Sequence, residues 1–207
     1  MQSYYHQYVT SMERALGCLE ITGAEGEVFG LDEGFDLIRT MTRRVRDSGG
    51  SQFLCGNGAS AAFANHMALD WTKNGGVPTH SFSDSALLTA LGNDLGFEES
   101  FSAPLGWFGK SGDQLVTISS SGNSQNVIRA IAAAREKGMG VITLSGLKPD
   151  NASRRLGDLN FYIPAKTYGV VECAHQILLH VWLDYFMDVR EWDRTIPQNM
   201  RKDEFCI

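Results

Sequence analysis

A chain of 207 residues, 43% apolar and 20% charged, holds enough hydrophobic material for one globular domain and does not have the composition of a polar linker. Its 18 Lys and Arg against 24 Asp and Glu give a formal charge of −6, and no basic cluster offsets that balance, which argues against nucleic acid as a partner. The opening stretch MQSYYHQYVTSMERALG has neither a basic segment nor an apolar core of the export type, and no run of ~18 apolar residues occurs, so a soluble cytoplasmic protein without a membrane partner is expected.

In chain order, residues 3–20 place Tyr5, Tyr8, Val9, Met12, Ala15 and Leu16 on one helical stripe. Residues 31–48 repeat the period at Phe35, Leu37, Ile38, Met41 and Val45 and stop at Gly49-Gly50, as a helix C-terminus does. Two helices thus precede the first strand. Beyond them the pattern alternates: strand 51–56, helix 60–73, strand 77–82, helices 84–92 and 97–105, strand 114–119, helix 124–137, strand 140–145, strand 159–164 and helix 168–190. This succession predicts an α/β fold, a doubly wound parallel five-stranded sheet of flavodoxin-like order with two N-terminal helices and ligands at the carboxyl ends of the strands. One domain is expected over residues 1–190, including the helices at 3–48, followed by an extension over 191–207. A sheet covered on both faces leaves little room for two further helices, so their apolar stripes are expected against another subunit.

Two strand-to-helix bends share a chemistry. In CGNGASAAFANH, residues 55–66, Gly56 and Gly58 permit a tight turn and Ser60 suits a helix N-cap. In TISSSGNSQN, residues 117–126, the strand ends at Ser119, Gly122 lets the backbone close in, and Ser124 can cap the next helix. Helix N-termini leave N–H groups unpaired and carry partial positive charge, so a phosphate can dock there without Lys or Arg. The hydroxyls of Ser119, Ser120, Ser121 and Ser124 would add donors. Elsewhere, His66 and Asp70 are spaced i, i+4 on one helix, and Glu172, Gln176 and His180 repeat that spacing on the last one. Histidine and carboxylate sets of this kind can bind a divalent metal.

CGNGASAAFANH, LLTALGNDLGFEESFSAPL and ISSSGNSQNVIRAIAAAREKGMGVITLSG resemble the motifs of the SIS (sugar isomerase) domain, and within it the phosphoheptose isomerase branch, over about residues 35–190. The resemblance implies interconversion of sedoheptulose 7-phosphate and a D-glycero-D-manno-heptose 7-phosphate. It also implies a homotetramer with active sites between subunits, and phosphate held by the 119–124 loop. Sugar contacts would come from Asn57, Ser60, Asn93, Asp94 and Glu172, and zinc would be held by His66, Asp70, Glu172 and His180. Four positions depart from the branch: Asp70 stands where it has glutamate, Glu172 where glutamine is usual, Gly169 where aspartate is common and Asn74 where a basic residue stands.

Ketose–aldose interconversion removes a proton next to a carbonyl and returns it one carbon away through an enediol, so it needs an acid/base pair and groups that polarise the oxygens. Asp70 and His180 are the expected pair. The competing reading is a non-catalytic phosphosugar-binding SIS module, a regulator or a partner of a replication initiator, in which the serine loop would survive and the acid/base set decay to apolar residues. Asp70, Glu172 and His180 remain polar, which favours the enzyme. The cysteines Cys18, Cys55, Cys173 and Cys206 form no CxxC pair, so reduced and mostly buried thiols are expected, and neither Cys55 nor Cys173 has a neighbouring cation to make it a nucleophile.

Overall fold

A computed structural model describes residues 3–193. Its helices are α1 (Tyr4–Gly17), α2 (Leu31–Asp47), α3 (Ala59–Lys73), α4 (Ser85–Asp94), α5 (Ser102–Phe108), α6 (Gln125–Glu136) and α7 (Tyr168–Met187). The strands are β1 (Glu20–Gly23), β2 (Val28–Phe29), β3 (Gln52–Gly56), β4 (Thr79–Ser81), β5 (Gln114–Ser119), β6 (Gly140–Gly146) and β7 (Leu159–Ile163). They form one sheet in the order β2-β1-β7-β6-β5-β3-β4.

The five strands from β7 to β4 are parallel, in the expected flavodoxin-like order. Apolar runs such as Leu115, Val116 and Ile118 in β5 are buried throughout, because helices cover both faces. One core packs Ile38, Met67, Trp71, Leu179 and Trp182 under α2, α3 and α7, and a second packs Leu105, Val127 and Ile131 under α5 and α6.

The sheet has seven strands where the pattern predicts five. A hairpin of β1 and β2 pairs antiparallel onto the β7 edge, with Ile21 opposite Phe161. Four residues and two residues are too short to show a period, and edge pairing to a strand far along the chain leaves no local trace. The predicted helix 97–105 is instead a 3₁₀ turn (Phe97–Glu99) followed by α5, broken where Ser100 is buried. The stripe of α2 is not held for another subunit: Ile38 and Val45 are buried in the chain's own core, whereas α1 buries only Ala15. Of the cysteines, Cys55 is buried but Cys18 and Cys173 are exposed, correcting the expectation of mostly buried thiols; Cys18 ends α1 and Cys173 lies on the outward side of α7. Cys206 and the predicted extension from residue 194 onward lie outside the described residues.

β3 and β5 are neighbours, yet β3 leads into α3 over one core and β5 into α6 over the other. Their carboxyl ends therefore flank the switch point of the sheet, where a crevice opens.

Candidate active site

Two bends meet at this crevice. At Gly56 an added Cβ would lie 2.6 Å from Ser60 Cβ and 2.9 Å from Ile118 O, so only glycine lets β3, β5 and α3 approach this closely. Ser60 is not the N-cap that its type suggests: it lies buried inside the first turn of α3, the cap position is Gly58, and no side chain caps the helix. Ser124 does occupy the N-cap of α6, but its hydroxyl makes no capping bond either. Neither side chain is spent on its own helix.

The loop between β5 and α6 is clamped from outside. The Gly122 N–H donates to Ser119 O at 3.0 Å, and Gly122 takes a φ of 63°. Asn151 fills the space a side chain at Gly122 would need, while the Ser153 N–H donates to Gly122 O at 2.9 Å and the Ala152 N–H to Asn123 Oδ1 at 3.0 Å. Across the crevice, Asn57 and Asn126 exchange two amide hydrogen bonds of 2.9 Å, and Asn126 also donates to Ser100 Oγ. Rigid backbone thus presents Ser119, Ser120 and Ser121, with the Ser120 hydroxyl buried and without a hydrogen-bond partner. The Ser119 and Ser121 hydroxyls accept the Gly122 and Asn123 N–H groups at 3.1 and 3.3 Å and keep their own protons to donate, so a helix N-terminus with these hydroxyls around it suits a bound anion.

The second constellation lies between α3 and α7. His66 Nε2 is 3.2 Å from Asp70 Oδ2, and the His66 and His180 rings are 5.3 Å apart. Ligand atoms of His66, Asp70 and His180 all lie within 4.8 Å of one another, a donor set of two imidazoles and a carboxylate that fits a divalent metal such as zinc. Trp71, packed on Trp182 at 4.6 Å and on Phe186 at 5.1 Å, fixes the two helices against each other one turn further on.

Glu172 does not join this trio within the chain. It precedes His180 by eight residues, about 12 Å along a helix, which carries it towards the crevice end of α7. Between them Gln176 packs on Met67, its Oε1 buried and without a partner. Asn93 and Asp94 end α4 at the surface, where Asn93 donates to Asp94. His175 belongs to the core: it is fully buried, its Nε2 bonds to Ser145 O at 3.1 Å, and burial lowers its pKa to about 4.

Sequence patterns missed the roles of Asn126, which ties the loop to Asn57 across the crevice, and of Asn151, which holds the loop from a position remote in the chain. They also missed Lys148 and Lys166, which line a cavity beside that loop. Asn126 closes the polar stretch itself; the other three carry no signal at the level of spacing.

The SIS domain family model matches residues 36–146. A phosphoheptose isomerase of Escherichia fergusonii is 40% identical, over 72% of this chain and 82% of the relative. Phosphoheptose isomerase GmhA from Neisseria gonorrhoeae superposes with a TM-score of 0.76 at 30% identity, covering 88% of this chain and 95% of that one. A phosphoheptose isomerase from Francisella tularensis shares the fold, with a TM-score of 0.76 at 22% identity over 92% of this chain and 100% of that one. The family model, the identity over most of both chains and the shared fold agree: the chain belongs to the SIS domain family and, within it, to the phosphoheptose isomerases.

Proposed function

We propose that the chain interconverts sedoheptulose 7-phosphate and a D-glycero-D-manno-heptose 7-phosphate, in the cytoplasm and as a homotetramer, with residues 1–190 acting as one SIS domain. The observation that carries the reading is the convergence of His66, Asp70 and His180 from two helices on the same molecule as an uncapped serine loop.

In this reading the phosphate lies against the N-terminus of α6, bonded by its free N–H groups and by Ser119, Ser120, Ser121 and Ser124, with Asn57 and Ser60 opposite. Asn93, Asp94 and Glu172 contact sugar hydroxyls. The Asp70 carboxylate takes the proton from the carbon next to the carbonyl, and the C–H electron pair becomes the enediol double bond while His180 protonates the carbonyl oxygen. Return of the proton to the neighbouring carbon and loss of the other hydroxyl proton complete the exchange. His66 orients Asp70 through their 3.2 Å contact. A zinc ion held by His66, Asp70 and His180 would supply polarisation of the carbonyl and enediol oxygens. Aspartate is one methylene shorter than glutamate, so proton abstraction depends on close seating of the substrate.

His180→Ala and Asp70→Asn are expected to abolish turnover in a coupled assay while calorimetry still detects phosphosugar binding. A wild-type protein that binds sedoheptulose 7-phosphate without converting it would instead make it a sensor.

A further inference from the structure

We propose that Lys148 and Lys166 determine the phosphate specificity of this site, by supplying the positive charge that the serine loop lacks. The inference rests on the serine loop being the phosphate site.

The loop and the first turn of α6, residues 117–128, contain no charged side chain. A helix N-terminus contributes about half a positive charge, whereas a phosphate monoester near neutral pH carries about −1.5 to −2. The imbalance is worsened by the chain's own charge of −6 and by Asp70, Asp94 and Glu172 in the proposed site. Neutral donors can seat the phosphate but leave most of a dianion's charge uncompensated, so a cation close to the loop would strengthen its binding.

Two lysines are so placed. Lys148 follows β6 and Lys166 lies between β7 and α7, and both line a cavity of about 520 Å³ shared with Ser121 and Asn123 of the serine loop. The other lining residues, Leu147 and Tyr168, are neutral, so no acid competes there. Neighbouring cations are already engaged. Arg154 pairs with Glu20 and lies 4.0 Å over the Tyr162 ring, and Arg129 pairs with Glu99. Among the described residues Lys148 and Lys166 have no ion-pair partner.

The backbone around Lys148 is held in place. Leu147 adopts a φ of 56°, uncommon for a branched side chain, and its carbonyl accepts the Tyr162 hydroxyl at 3.1 Å. The Lys148 carbonyl accepts Asn151 Nδ2 at 2.8 Å. Asn151 is also the residue that fills the space at Gly122, so one side chain sets the position of Lys148 relative to the serine loop. A strained turn fixed by the clamp of the phosphate loop places a cation at its rim.

The test uses inorganic phosphate and sedoheptulose 7-phosphate as probes. Lys148→Met and Lys166→Met, which keep the aliphatic stems, are each expected to weaken phosphate binding about tenfold in calorimetry. The double variant should flatten the salt dependence of binding and raise KM with kcat unchanged, whereas Lys→Arg at both positions should restore affinity. If the double Met variant binds phosphate as the wild type does at low and high salt, while Ser121→Ala and Ser124→Ala weaken it, the lysine assignment is overturned and the serine loop stands. If neither pair of substitutions changes phosphate binding, the loop assignment falls and the lysine assignment with it.

Discussion

His175 is a buried titratable side chain whose protonation would oppose the fold. Its Nε2 is occupied by Ser145 O and its Nδ1 has no acceptor, so the interior accommodates only the neutral ring. Burial lowers its pKa from the ordinary 6.5 to about 4. The unfolded chain therefore binds the proton more readily between these values. The stabilisation is complete above pH 6.5 and is lost as pH falls towards 4, at up to about 1.4 kcal/mol per unit. Urea unfolding at pH 7 and pH 5 should show this loss in the wild type, and His175→Gln should show a shallower slope; equal slopes would remove His175 as the cause. Its position in the sequence does not distinguish site from core, because its neighbour in space comes from β6, thirty positions away. Residue type places Ser124 correctly at the N-cap of α6 but does not show that its hydroxyl makes no capping bond, and it assigns to Ser60 a cap position that Gly58 occupies.

Elements were more legible than contacts. All five parallel strands and most helices follow from periodicity, since long segments average over many side chains. The β1–β2 hairpin did not, being defined by its pairing to β7 and not by its own pattern. The pairing of α3 with α7 was legible only in part: i, i+4 spacing put His66 with Asp70, but bringing His180 to them depends on the packing of Trp71, Trp182 and Phe186. The resemblance groups Glu172 with them, whereas within this chain the trio is His66, Asp70 and His180, with Glu172 about two turns away along α7. Trp182→Ala removes the central side chain of this contact and should cost about 3–5 kcal/mol by denaturant unfolding. Trp182→Phe should recover much of that, and a cost below about 1 kcal/mol for the alanine variant would show that the helices are held otherwise.

At the scale of the molecule, the doubly wound order and its switch point were legible in the alternation of strands and helices, whereas the expectation of a subunit surface rested only on a shortage of room. The fold narrows the candidates for such a surface. With α2 absorbed into the core, α1 is left with Tyr4 84% and Tyr5 72% exposed, and Leu69 on α3 with Ile177 and Val181 on α7 are also exposed. Leu69 precedes Asp70 and Val181 follows His180 in the chain, so these two exposed apolar groups lie on the same helical turns as members of the trio. Burying them against another copy would withdraw the trio from water, which strengthens every electrostatic interaction within it. Light scattering at micromolar concentration is expected to show a tetramer. Leu69→Lys with Val181→Lys should yield smaller species of unchanged far-ultraviolet circular dichroism and strongly reduced turnover. The contrast lies in phosphate binding, which the same variant should retain because its serine loop is built within one chain. A wild type that is monomeric, or a smaller species that keeps full activity, would show that the trio works without a second subunit.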